Sequence, residues 1–310
     1  MVAIDHAWAQ LVAERLAMTA SKRWSVVLTC AAVMAGAQSA RASTEPTEPS
    51  PDEVISIVVI GDSVPFNSPD DCPGCTSFAD SYGKAVEAAT GEPVAVENRS
   101  RHDGARTADI EEQLAAGELT ELLRAADIVI ISTGLNDGPP YEGSRPCAAE
   151  SLATDEELFA AVIATTTECV DEVTAEVRAS VANVLNFVRT EAPEAAIGVL
   201  TAYNSWTGWE NLDAAGPVTV DGVSEVITYT LDQWRTALCE EAAAVDAVCV
   251  DVYGEFNGPD GQQLSGELLA PDYSHPSQLG NDRIRDLLIA SDLYDLGSGA
   301  PSTSTDSTDG

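Results

Sequence analysis

Basic charge is what this chain most lacks. Lys and Arg together number 15 against 51 Asp and Glu, a formal net charge of −36. Lysine is almost absent, and most of the few bases are arginine. Such a surface repels phosphate backbones and anionic headgroups, which excludes nucleic acid and an anionic membrane as partners. The acids are scattered rather than set at ligand spacing, so they read as a solvated coat and not as a cation-binding loop. Aromatics are scarce as well, at 5% of a chain that is 45% apolar. Ala, Val, Leu and Ile must therefore fill most of the core. Histidine occurs only at His6, His102 and His275, which narrows the choice of a general base before any motif is considered.

Long apolar runs are missing too. The run at 26–35 follows Lys22-Arg23 and is too short for a spanning helix, which needs about 20 residues. Small residues follow it, with Ala40-Arg41-Ala42 as an A-x-A-like cleavage site. Residues 1–42 thus read as an N-terminal extension with a removable export signal, and Met18 is an alternative start. The protein is expected outside the cell with no stable membrane anchor. Cys30 fits a lipid-attachment site poorly, because Thr29 precedes it and the apolar run continues past it. Residues 43–52 form a Pro-rich linker, 53–296 one domain, and 297–310 a polar tail of disordered composition.

Beyond the signal lie six cysteines. An even count in an exported chain implies three disulfides, and six cysteines allow 15 pairings. Proximity in sequence favours Cys72–Cys75, Cys147–Cys169 and Cys239–Cys249. The rival for Cys72-Pro-Gly-Cys75 is a zinc or redox motif. No second CxxC exists, histidines are few, and the segment is a Pro/Asp-rich loop rather than a helix start, all of which weigh against it.

Five short apolar, β-branched runs are strand candidates: 54–60, 93–97, 128–132, 196–202 and 247–252. Several are apolar on both faces, as in a buried parallel sheet. Helical spacing separates them. Phe78, Tyr82, Val86 and Ala89 share a face; Val170, Val173, Val177, Val181, Val184 and Val188 share another; Val226, Trp234 and Leu238 mark a third, and Ile284, Leu287 and Leu288 a fourth. The alternation predicts an α/β doubly wound fold with ligands at the C-terminal strand edge.

Four segments at that edge carry chemistry-bearing residues. The first strand runs into Gly61-Asp62-Ser63, which by itself is an ordinary turn. The third ends in Gly134-Leu135-Asn136-Asp137, where an Asn amide can serve as an oxyanion donor, and the turn after the second strand offers a backbone N–H at Gly104. Asp272 and His275 stand three apart in Asp272-Tyr273-Ser274-His275. One turn of chain lets the carboxylate accept from Nδ1–H and leaves Nε2 free to take a hydroxyl proton. His102 is the competing base, but its acidic neighbour Asp103 is adjacent in sequence, and adjacent side chains rarely face each other.

Taken in order, Gly61-Asp62-Ser63, Gly104, Gly134-Leu135-Asn136-Asp137 and Asp272-Tyr273-Ser274-His275 resemble the blocks of the SGNH (GDSL-type) hydrolase family over roughly residues 53–290. The likeness is to exported actinobacterial members with three disulfides. It implies a three-layer α/β/α sandwich with five parallel strands, flavodoxin-like in layout. It also implies Ser63 as nucleophile, His275 as general base and then acid, and Asp272 as its orienting partner. The Ser63 and Gly104 N–H groups and the Asn136 amide would form the oxyanion hole. One departure stands out: Arg101, His102 and Arg106 surround Gly104, where the family has small residues. The G-x-S-x-G elbow of the α/β-hydrolases is absent.

The activity so implied is cleavage of carboxylic esters through an acyl-enzyme, with no metal and no cofactor. The substrate is a small ester, a lipid or an acylated carbohydrate, and the chain is expected to act as a monomer. Trp206 and Trp209, after the fourth strand, either line an acyl pocket or stack on a sugar, and Tyr141 is a further candidate wall. A carbohydrate acetyl esterase and a non-catalytic binding protein on the same scaffold are the alternatives.

Overall fold

In the computed structural model, residues 54–102, 104–142, 146–149 and 151–294 are described. The expected export signal, linker and tail lie outside them. Five parallel strands form one sheet: β1 (Ile55–Gly61), β2 (Val94–Asn98), β3 (Ile128–Ser132), β4 (Ala196–Leu200) and β5 (Val248–Val250), in the order β2-β1-β3-β4-β5. β1 and β3 lie inside the sheet and are apolar nearly throughout. Alternate residues bury on opposite faces. Val58, Ile60, Val129, Ile131, Ile197 and Val199 join one core, whereas Ile57, Val59, Ile128, Ile130 and Leu200 join the other. A sheet buried on both faces needs helices on both, which makes the three-layer α/β/α sandwich.

Ten α-helices accompany the sheet among the described residues: α1 (Ser63–Phe66), α2 (Phe78–Thr90), α3 (Thr107–Ala115), α4 (Thr120–Arg124), α5 (Asp155–Ile163), α6 (Thr167–Glu191), α7 (Glu210–Ala214), α8 (Pro217–Ala244), α9 (Val252–Asn257) and α10 (Gln278–Ala290). Val173, Val177, Val181, Val184 and Val188 of α6 and Ile227, Leu231, Trp234 and Leu238 of α8 pack on the first core. Phe78, Tyr82 and Val86 of α2 and Ile284 and Leu288 of α10 pack on the second. Valine is a mediocre helix former; in α6 the burial of its stripe outweighs that preference, and Thr166 caps the start by accepting from the Cys169 N–H. Two expected face residues fall short. Ala89 is exposed, so the buried face of α2 stops one turn earlier, and Val226 is only half-buried, its place in the core taken by Ile227.

The structure carries the disulfides Cys72–Cys75, Cys147–Cys169 and Cys239–Cys249. The first staples the loop between α1 and α2. The second ties the segment after β3 to the start of α6, and the third ties α8 to β5.

Register positions the site. Gly61 pairs with Ser132, and Ser132 with Leu200, so β1, β3 and β4 end level with one another. The order reverses between β1 and β3, which opens a crevice at their C-terminal ends. Gly61 permits the close approach there: a Cβ at that position would collide with the Ser132 carbonyl oxygen and the Pro65 ring. Gly61→Ala is therefore expected to cost about 1–3 kcal/mol of unfolding free energy through overpacking, read by urea denaturation; an unchanged midpoint would contradict this packing.

Candidate active site

Ser63 follows β1 by two residues and opens α1. Asp62 caps that turn, its Oδ1 accepting from the Val64 N–H at 3.0 Å, while its own N–H donates to the Ser132 carbonyl at 3.1 Å. Ser63 is only 6% exposed and Asp62 1%. Burial pushes the Asp62 carboxyl up to about 7. The charge of Asp137 acts in the same direction, against the Val64 and Leu135 N–H groups and the His275 imidazole. Leu135 and His275 thus both act on the carboxyl of Asp62, the residue beside Ser63.

Asn136 lies in a single 3₁₀ turn, Leu135–Asp137. Its Nδ2 donates to the Ala105 carbonyl at 3.0 Å, which joins the β3 turn to the loop after β2. A buried pair strengthens the joint. Asp137 Oδ2 accepts from the Thr107 N–H at 2.9 Å and the Thr107 hydroxyl at 2.7 Å, and Thr107 Oγ1 also meets Thr133 Oγ1 at 2.9 Å. Gly104 takes the left-handed conformation (φ 67°), and its N–H donates to the His102 carbonyl at 2.5 Å. To reach an oxyanion, this N–H has to turn away from that carbonyl.

The last segment folds back on itself. The Ala270 N–H donates to the His275 carbonyl, and Tyr273 turns the corner with φ 58°. Asp272 Oδ1 accepts from the Ser274 and His275 N–H groups, both at 3.0 Å, and Oδ2 meets His275 Nδ1 at 2.6 Å. Burial pushes the Asp272 carboxyl up, but these three bonds together outweigh it and hold the group below the usual carboxylate range. Burial pushes the His275 imidazole down. The Asp272 hydrogen bond and the charges of Asp272, Asp71 and Asp62 more than offset this and raise it above its ordinary value. Tyr203 buttresses the turn by donating its hydroxyl to the Ser274 carbonyl at 2.6 Å.

Sequence reasoning missed Asp71. Its Oδ2 lies 3.0 Å from His102 Nε2 and 3.6 Å from His275 Nε2. No sequence signal marked it, because the residue sits in an acidic loop where its neighbours look alike. His102, the competing base, has this carboxylate and the Phe66 ring as neighbours.

A cavity of about 330 Å³ opens beside the Asn136 turn and the Asp272–Ser274 turn. Asn136, Asp272 and Ser274 form its polar border, and Leu135, Pro139, Leu158, Trp206, Trp209, Ile227, Leu231 and Trp234 its apolar wall. The two candidate tryptophans meet edge to face at 5.8 Å, and Trp209 also meets Phe159 edge-on. Trp234 was legible only as a helix core residue, because spacing does not say which turn reaches the sheet edge. Tyr141 is 1% exposed in the first core and borders a separate cavity of about 340 Å³, lined also by Gly104 and Asn136.

Fold and site together define a carboxylic ester hydrolase of the three-layer α/β/α class. The family model described as "GDSL-like Lipase/Acylhydrolase family" matches residues 59–283. The chain belongs to that family. Among solved structures, a lipase from a goat rumen metagenome is similar at 17% identity, with 78% of this chain and 100% of that one covered and a TM-score of 0.57. An extracellular lipase from Streptomyces rimosus is similar at 18% identity, with 76% and 99% covered and a TM-score of 0.50. Phospholipase A1 from Streptomyces albidoflavus NA297 is similar at 18%, with 76% and 98% covered and a TM-score of 0.50. At such identities the likeness is one of fold. No curated protein sequence matches the chain. Among the described residues no helix is long and apolar enough to cross a membrane.

The carboxylates around His275 make a direct prediction. In NMR titration of the full chain in EDTA buffer, the His275 imidazole is expected to titrate above 6.5, and Asp272→Asn to lower its midpoint, because losing the anion removes what favours the charged ring. A wild-type midpoint below 6.5 would contradict the geometry.

Proposed function

We propose that this protein is an exported serine esterase or lipase that cleaves carboxylic esters of apolar, medium-length acids through an acyl-enzyme on Ser63. The observation that carries the reading is the Asp272–His275 pair, fixed by 2.6 Å and 3.0 Å bonds, with Asp272 at the border of an apolar cavity.

The Asp272 bond to Nδ1 selects the tautomer whose Nε2 bears a lone pair. Nε2 takes the Ser63 proton as Oγ attacks the ester carbonyl, then returns it to the leaving alcohol. Water, activated in the same way, releases the acid and regenerates Ser63. Charge on the tetrahedral oxygen falls to the Ser63 N–H and the second N–H of the Asn136 amide, with the Gly104 N–H joining if it leaves the His102 carbonyl. Each such donor is worth about 3 kcal/mol in the transition state. The protein acts as a monomer and requires no cofactor.

The cavity wall supports an acyl chain over a sugar. Trp206 and Trp209 meet edge to face and are backed by Leu, Ile and Pro, so they form no shared flat stacking platform. Export is supported by the signal-like N-terminus and by three disulfides, which persist in oxidising compartments.

Each methylene buried in the cavity adds about 0.8 kcal/mol, roughly a fourfold gain in kcat/KM per carbon. On p-nitrophenyl esters, kcat/KM is expected to climb from acetate through butyrate to octanoate. Trp206→Ala is expected to flatten that slope, and Ser63→Ala to abolish turnover. Activity in Ser63→Ala contradicts the mechanism, and preference for acetate contradicts the acyl pocket.

A further inference from the structure

His275 has two neighbours that take no part in its proton transfers with Ser63. Asp71 Oδ2 lies 3.6 Å from His275 Nε2, the nitrogen proposed to take the Ser63 proton, and 3.0 Å from His102 Nε2. The two imidazole rings lie 6.3 Å apart between centroids, with planes 25° from parallel. One carboxylate oxygen is thus shared unequally. It is bonded to His102 and held just beyond bonding range of His275.

That inequality matters to a base. With Nδ1–H held by Asp272, neutral His275 presents a lone pair at Nε2. An anion 3.6 Å away favours the imidazolium that forms when Nε2 takes a proton. The same anion at about 2.8 Å would accept a hydrogen bond from Nε2–H. It would keep the ring protonated, and the lone pair needed for Ser63 would be lost. The useful position is close but unbonded.

Asp71 is held there from two sides. Its backbone is fixed, because the N–H groups of Asp71 and Cys72 both donate to the Ser68 carbonyl at 3.1 Å and the Cys72–Cys75 disulfide closes the turn. Its side chain is fixed by His102, whose own ring lies against Phe66 at 5.2 Å. The other charges acting on the His275 ring are Asp272 on its own loop and Asp62 before α1. Burial holds the Tyr203 hydroxyl behind this turn well above its ordinary range, so it stays neutral.

We propose that Asp71 is a positioning residue for the base. Its carboxylate stabilises the His275 imidazolium formed as Ser63 gives up its proton, and His102 holds that carboxylate out of bonding reach of Nε2. No proton passes to Asp71: the proton moves from Ser63 Oγ to His275 Nε2 and on to the leaving alcohol. Effects on rate rest on His275 being the base, as proposed above, whereas effects on its titration do not.

The test is NMR titration of the His275 imidazole in the full chain, paired with pH profiles of kcat/KM on p-nitrophenyl butyrate. Asp62 is present in every variant, so its titration near 7 is common to all of them. Asp71→Asn is expected to lower the His275 midpoint by about half a unit or more. The acid limb of the profile should move down with it, and kcat/KM above the limb should fall about twofold or more. His102→Ala frees the carboxylate to close on Nε2, so the midpoint and the acid limb are expected to rise. His102→Gln keeps an N–H donor and is expected to hold the wild-type midpoint. The deciding variant carries both His102→Ala and Asp71→Asn: with no carboxylate to restrain, its midpoint matches that of Asp71→Asn alone. The proposal is overturned if Asp71→Asn leaves the midpoint unmoved or if His102→Ala fails to raise it. It is also overturned if the His102→Ala rise persists in the double variant, which would mark simple loss of the His102 charge. A chain whose midpoints shift as stated yet cleaves no ester sinks the esterase reading alone, and an active enzyme whose His275 ignores Asp71 sinks this one alone.

Discussion

The site depends on one constraint: β1, β3 and β4 end level. The pairing of Gly61 with Ser132 and of Ser132 with Leu200 makes the chain leave all three strands at one edge. A register slip by one residue would turn every side chain to the other face, and both faces of these strands are packed, so the register is strongly specified. Gly61 is the point where this geometry is tightest, because no side chain fits between its Cα and the β3 backbone. Everything the candidate chemistry uses is hung on loops that gather at this edge.

Buried polar bonds then lock those loops to each other. Asp137 with Thr107 and Thr133 ties the β3 turn to the start of α3, and Asn136 reaches Ala105 beside it. Farther along the chain, Asn257 donates to the Asn204 carbonyl and to Ser265, fastening the loops after β4 and α9. Fully paired networks of this kind rigidify their surroundings, whereas each unpaired member would be costly. The electrostatic result is an imidazole ringed by carboxylates: Asp272 bonded, Asp71 beside Nε2, and Asp62 buried next to Ser63. In so acidic a protein the histidine is held toward its charged form, and as a base His275 would work against that field.

Much of this was legible in the residues. The strands showed themselves because a run apolar on both faces, such as 128–132, must be buried on both, and its β-branched residues favour a strand over a helix. The valine stripe of α6 was legible because its spacing holds unbroken from Val170 to Val188. Scarcity made the candidate base legible: with two histidines beyond residue 42, the one three residues from an aspartate stood out. The short helices α5, α7 and α9 were not legible, since a few residues of mixed polarity carry no period. Trp234 gave its helix but not its place in the cavity wall. Asp71 was invisible for a different reason. It meets His102 across 31 residues of chain, and only the closure of the Cys72–Cys75 turn against α1 and the β2 loop creates that meeting.

The central claim is that Ser63 carries the reacting oxygen, with His275 as its base. The direct measurement is covalent: the purified chain is treated with a p-nitrophenyl alkylphosphonate, which transfers its phosphonyl group to an attacking serine with loss of p-nitrophenolate and leaves a stable mimic of the tetrahedral intermediate, then digested and mapped by mass spectrometry while residual ester hydrolysis is followed. The account predicts one phosphonyl group per chain, located on Ser63, with activity lost in proportion to labelling. A label on any other residue, or hydrolysis that survives complete labelling of Ser63, would contradict it.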